Sequence, residues 1–195
     1  MTDYCVDLNF SINPLISGVS IDSLQKNNES WTLVDPNYIN PELKTVLGEL
    51  GLTIKIAGLF TLAEGETGPI HLDGAKISDL TKINWSYNND HDMIWYTVKN
   101  GQVEKNIRTR NSTENLPPRR FIDYHINEVE EVYRKRVGFP SLVQAGVPHN
   151  VANYKGVRRC LTIVLYDVNG NPISMNTAKE IFSQWLVEAE GIEPF

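Results

Sequence analysis

From Leu52 onward, apolar and polar positions alternate with a period of two while β-branched residues accumulate. The pattern runs through Thr53-Ile54-Lys55-Ile56-Ala57, Leu59 to Leu62, the segment at Ile70, Lys82 to Tyr87 and Met93 to Val98. Alternation sends successive side chains to opposite faces, so each segment predicts a strand. Glu64-Gly65-Glu66-Thr67-Gly68 and Asn88-Asn89-Asp90 supply turn chemistry between them. Arg159-Cys160-Leu161-Thr162-Ile163-Val164-Leu165-Tyr166 is a further strand of high β propensity. Short strands separated by turns, without alternating helices, predict a mainly β sandwich or barrel.

Elsewhere the period changes. Residues 3 to 10 predict an N-terminal strand, and 11 to 39 a loop with extended pieces around Trp31 to Val34. Asn40-Pro41 opens a helix with a capping side chain and proline in the first turn. Leu43, Val46, Leu47 and Leu50 form its apolar stripe, and Gly51 ends it. A second helix is predicted from Asn127 to about Arg136, with Asn127 and Glu130 placed as a capping box and Val129, Val132 and Tyr133 on one face. A third is predicted from Asn176 to Glu190, with Ile181, Phe182, Trp185 and Leu186 in the core. Residues 100 to 120 carry neither period, are rich in Arg and Asn, and contain Pro117-Pro118, which predicts a mobile loop or lid. No repeat or linker divides the chain, so residues 1 to 195 predict a single domain.

Composition narrows the classes of function. With 24 acidic against 18 basic residues the net charge is −6, which argues against a nucleic-acid partner despite the local group Arg108, Arg110, Arg119 and Arg120. Cys5 and Cys160 do not make a disulfide framework. The N-terminus lacks the basic start and apolar run of a signal peptide, and no stretch approaches a membrane span, so a soluble cytoplasmic location is expected.

The chemistry concentrates in Gly68-Pro69-Ile70-His71-Leu72-Asp73-Gly74. On a strand His71 and Asp73 face the same way, so an imidazole and a carboxylate can reach one point. His149, in Pro148-His149-Asn150-Val151 ahead of the Arg159 strand, supplies a third ligand. Two histidines and one carboxylate on one face of a metal suit non-haem Fe(II), leaving positions open for other ligands. His91, within Asp90-His91-Asp92, reads as an exposed turn residue and His125 as a surface residue, which leaves His71 and His149 as the pair.

The set His71-x-Asp73, His149 and, ten residues on, Arg159 resembles the 2-oxoglutarate/Fe(II)-dependent oxygenases. Pro69 to Asp73, Ile83-Asn84-Trp85, Met93-Ile94-Trp95-Tyr96 and Gly146 to Asn153 are most similar to the aspartyl/asparaginyl β-hydroxylase branch, which includes hydroxylases of free proline. The resemblance covers roughly residues 52 to 168. It implies a double-stranded β-helix (jelly roll, cupin-like) with flanking α-helices and Fe(II) held by His71, Asp73 and His149. It also implies 2-oxoglutarate as co-substrate, and hydroxylation of an amino acid, peptidyl side chain or other small polar substrate. Asn84 and Trp95 would line the co-substrate pocket. Arg159 would bind the distal carboxylate, since the guanidinium fork matches a carboxylate bidentately. Arg158 competes for that role; Leu161, Ile163 and Leu165 share the parity of Arg159, which favours Arg159 as the inward residue. A non-enzymatic jelly-roll module and a metal-dependent cupin that does not use 2-oxoglutarate stay open as alternatives.

Overall fold

The computed structural model describes residues 4–25, 30–73, 80–87, 90–99, 107–110, 119–138 and 140–187. Its strands are β1 (Cys5–Asp7), β2 (Trp31–Leu33), β3 (Leu52–Leu62), β4 (Ile70–Asp73), β5 (Thr81–Ser86), β6 (His91–Val98), β7 (Ile107–Arg110), β8 (Arg119–Tyr124), β9 (Val129–Arg136), β10 (Ser141–Gln144), β11 (His149–Asn153) and β12 (Arg158–Asp167). Two helices, α1 (Pro41–Glu49) and α2 (Met175–Ile181), accompany them. One antiparallel sheet runs β1-β10-β5-β12-β3-β2 and the other β7-β8-β4-β11-β6-β9. From β3 to β6 and again from β9 to β12, successive strands fall in opposite sheets, as in a jelly roll, and the fold is mainly β with a cupin-like double-stranded β-helix. Among the described residues no helix is long and apolar enough to cross a membrane.

The two faces of the first sheet have different partners. Ile83 and Trp85 of β5 and Leu161, Ile163 and Leu165 of β12 join Leu43 and Leu47 of α1, Met175 of α2 and Phe182 just after it in the largest apolar cluster. Helices therefore cover the outer face. The alternate residues look inward at the second sheet: Lys82 reaches Asp73, and Asn84 Nδ2 lies 3.7 Å from Met93 Sδ. The large apolar side chains of β5 and β12 are thus spent on the helix-covered face, leaving polar groups inside.

α1 follows its sequence signals: the Asn40 side chain accepts from the Glu42 amide, and Gly51 closes the helix at φ +73°. Four expectations are corrected. Asn127 to Arg136 is not a helix; Ile126–Glu128 is a 3-10 turn and Val129–Arg136 is edge strand β9, paired to β6. Pairing with β6, and the packing of Tyr133 against Trp95 and Tyr4, override the helical spacing. The C-terminal helix stops at Ile181 because the chain turns through Ser183–Trp185 to bond alongside β1, with the Asn9 amide donating to Trp185 O and the Val187 amide to Asp7 O; residues 188–195 lie outside the described part. Trp185 packs edge-on to Phe10, in its expected packing role. The two strand segments predicted on either side of Gly58 are one, β3, and Gly58 is needed there because a Cβ would lie 2.6 Å from the Trp31 indole. Finally, the predicted loop from 100 to 120 includes β7 and the first residues of β8, a hairpin beside β4; residues 100–106 and 111–118 lie outside the described residues.

Candidate metal centre

β4 and β11 are neighbours, and their register sets His149 directly opposite His71. Paired residues point to the same face, so this register, with the i, i+2 spacing of Asp73, aims all three side chains into the space between the sheets. The imidazole rings lie 4.7 Å apart, His71 Nε2 is 3.8 Å from Asp73 Oδ1, and one ligand atom from each of the three falls within 4.8 Å of the others. Ligands about 2.1 Å from one ion at right angles stand roughly 3 Å apart, so small side-chain rotations would close the set on a metal.

The ring nitrogens have their roles fixed. His71 Nδ1 is 2.9 Å from Pro69 O and His149 Nδ1 is 2.8 Å from Val147 O. A carbonyl only accepts, so each Nδ1 carries a proton and each Nε2 is the nitrogen left to ligate a metal. Burial, reinforced by His71, pushes His149 down to about 3, which keeps its ring neutral. Burial alone would raise the Asp73 carboxyl, but the Lys82 ammonium held against it outweighs burial and keeps it well below the usual carboxylate range. Asp73 Oδ2 takes the Lys82 ammonium, and Asp73 Oδ1 is buried with no hydrogen-bond partner. An ionised, orphaned carboxylate oxygen beside two imidazole lone pairs fits a divalent cation. His71 retains some exposure, so the cluster opens beside it toward β8, where Phe121 meets its ring edge-on.

The expected inward turn of Arg159 is corrected. Leu161, Ile163 and Leu165 face the helices, so Arg159, at the same parity, faces outward, where its Nε is 2.7 Å from Asp22 Oδ1. Arg158 is the inward residue, 4% exposed, and its Nε has no partner. Apolar parity was equated with inwardness; in a sandwich whose outer face carries helices the relation reverses. Asn84 does face inward, with Oδ1 unpartnered, opposite Thr162, whose hydroxyl is also unpartnered. Trp95 stands opposite His149 but is engaged in packing: fully buried, it donates from Nε1 to Gln144 O and packs against Tyr4 and Tyr133. His91 is fully buried rather than in an exposed turn, its Nε2 3.3 Å from Ser86 Oγ. His125 is exposed.

Sequence reasoning overlooked Lys82. A lone lysine alternating with Ile83 and Trp85 was the available signal: once those are assigned to the helix-covered face, Lys82 must point inside.

Fold and cluster together define a cupin-like jelly roll with a His-Asp-His group on its inner face that could hold a metal. No family model matches the sequence, and no curated relative matches it either. Among solved structures, vicilin from Capsicum annuum aligns with 88% of this chain and 40% of its own, at 12% identity and a TM-score of 0.38. Vicilin from Corylus avellana aligns over 80% of this chain and 37% of its own, at 11% identity and a TM-score of 0.36. The chain thus spans well under half the length of these vicilins. Neither likeness bears on chemistry.

Proposed function

We propose that the chain is a 2-oxoglutarate- and Fe(II)-dependent oxygenase that hydroxylates an unactivated C–H bond of an amino acid, a peptidyl side chain or another small polar substrate. The observation that carries this reading is the convergence of His71, Asp73 and His149 between the sheets; Arg158 is buried on the inward side of β12, and its Nε has no hydrogen-bond partner among the described residues. His71 Nε2, His149 Nε2 and Asp73 Oδ1 would hold the iron, which when bound would supply activation of dioxygen. Arg158 takes the role expected of Arg159: its guanidinium suits the distal carboxylate of 2-oxoglutarate, and among the described residues its Nε has no hydrogen-bond partner. Asn84 and Thr162, paired across β5 and β12, offer hydrogen bonds on the same inner face. The overall change is insertion of one atom of dioxygen into the C–H bond, the other entering succinate as 2-oxoglutarate loses CO2.

The test is anaerobic addition of Fe(II) and 2-oxoglutarate, followed by optical spectroscopy. A visible band requiring both additions, and lost in Asp73→Ala, is the expected result. Absence of the band from correctly folded protein that binds Fe(II) would favour a cupin that does not use 2-oxoglutarate, and absence of metal binding a non-enzymatic module.

A further inference from the structure

Lys82 is buried, and among the described residues its one carboxylate partner is Asp73, the acidic member of the candidate metal centre. It reaches Asp73 across the gap between the sheets, with its ammonium also 5.7 Å from the centre of the Phe60 ring. A buried ammonium is tolerated only when paired, because the interior cannot replace its hydration. A divalent cation entering beside His71 and His149 needs the same carboxylate. Lys82 holds Oδ2 while the metal would take the unpartnered Oδ1, so the two cations compete for the charge of one carboxylate, and binding the metal alone would leave Lys82 a buried cation facing a dication. Arg158 adds a second buried positive charge on the inward side of β12, its Nε without a hydrogen-bond partner among the described residues.

We infer that Lys82 couples the metal to an anionic ligand: it neutralises Asp73 while the site is empty, and turns to a carboxylate of the incoming ligand when a metal takes Asp73. This rests on the metal-binding reading of the His71, Asp73 and His149 cluster. Two consequences follow from linkage. The metal alone binds weakly for so complete a ligand set, and a dicarboxylate raises its affinity by the same factor by which the metal raises that of the dicarboxylate.

The experiment is titration calorimetry with Mn(II), with and without succinate, a dicarboxylate lacking the keto group. It compares the wild-type chain with Lys82→Met and Lys82→Arg. Succinate should tighten Mn(II) binding to the wild type by about tenfold, in the usual range of coupling between sites. Lys82→Met, which removes the opposing charge and leaves that of Asp73 to the metal, should bind Mn(II) alone about tenfold more tightly than the wild type and gain less than twofold from succinate. Lys82→Arg should keep the wild-type pattern. Thermal melts give a second readout: metal-free Lys82→Met, with Asp73 left uncompensated, should melt below the wild type and recover with Mn(II). Equal or weaker Mn(II) binding by Lys82→Met would overturn the coupling while leaving the metal centre standing. Failure of the folded wild type, Lys82→Arg and Lys82→Met alike to bind Mn(II) would overturn the metal centre itself, and the coupling with it.

Discussion

Arg158 and Arg159 are adjacent in sequence and opposite in physics. Arg159 is part of an ion pair whose acidic partner, Asp22, is largely exposed, and such pairs contribute about 0 to 1 kcal/mol. Arg159→Ala should therefore leave 2-oxoglutarate affinity unchanged and shift stability by less than about 1 kcal/mol. Arg158 is a buried cation whose Nε has no hydrogen-bond partner among the described residues, so replacing it with an apolar side chain of similar length removes a desolvated charge. Arg158→Met should raise the melting temperature of the ligand-free protein and weaken 2-oxoglutarate by about 2 to 5 kcal/mol, as loss of one partner of a buried charge pair does. Calorimetry and thermal melts check both variants, and a stable Arg158→Met that binds 2-oxoglutarate normally would remove the residue from the site. The thiols give an independent check of the core. Burial pushes Cys5 up to about 12, and Cys160 is also buried, so neither should react with a thiol reagent at pH 8 until the chain unfolds.

Strands are where local pattern and tertiary pairing part company. β9 carries helical spacing in Val129, Val132 and Tyr133, yet Val132 is exposed and the chain is extended, because β6 offers a full ladder of backbone partners. Asp92 of β6 helps to fasten this edge: Arg136 Nε and the Tyr154 hydroxyl each lie 2.8 Å from its carboxylate, and Arg134 3.4 Å. Burial alone would raise the Asp92 carboxyl, but the Tyr154 hydrogen bond and the arginines outweigh it, so its pKa is lowered. A carboxyl lowered on folding contributes its stability above the unfolded value near 3.8 and loses it as the pH falls below. Asp92→Asn should cost about 1 kcal/mol at pH 7, since both arginines are partly exposed and screened, and the deficit should shrink in urea melts at acid pH. β3 shows the converse case, where one residue allows a strand to continue. Gly58→Ala should cost about 1 to 3 kcal/mol by driving a methyl group into the Trp31 indole. Trp31→Leu should relieve most of that cost, and purely additive effects in the double mutant would show that the two do not touch.

For the molecule as a whole, the space between the sheets holds charge beside the apolar cluster of Met93, Trp95 and Val143. Asp73, Lys82 and Arg158 are all buried, and the structure tolerates them at a cost that a bound metal and anion would offset. A divalent metal at a hundred times its dissociation constant should stabilise the fold by about 2.7 kcal/mol, seen as a raised melting temperature that a chelator reverses. His71→Ala should abolish the shift, and an equal shift in that variant would place the metal elsewhere.

The strands between Leu52 and Val98, the Arg159 strand, the α1 cap and stripe, and the same-face spacing of His71 and Asp73 were legible in the sequence, because each is set by neighbours within a few residues. The sequence by itself determined the alternating faces, and so that one of Arg158 and Arg159 turns inward. Only the tertiary structure decided which one, since that depends on where helices distant in the chain lie: α1 and α2 cover the face bearing Leu161 and Ile163, making the apolar side the outside of the barrel. It likewise decided that Asn127 to Arg136 is extended, that Lys82 meets Asp73, and that His149 registers against His71. Alternation specifies the two faces of a strand, while pairing and the layers packed on each face specify which is in.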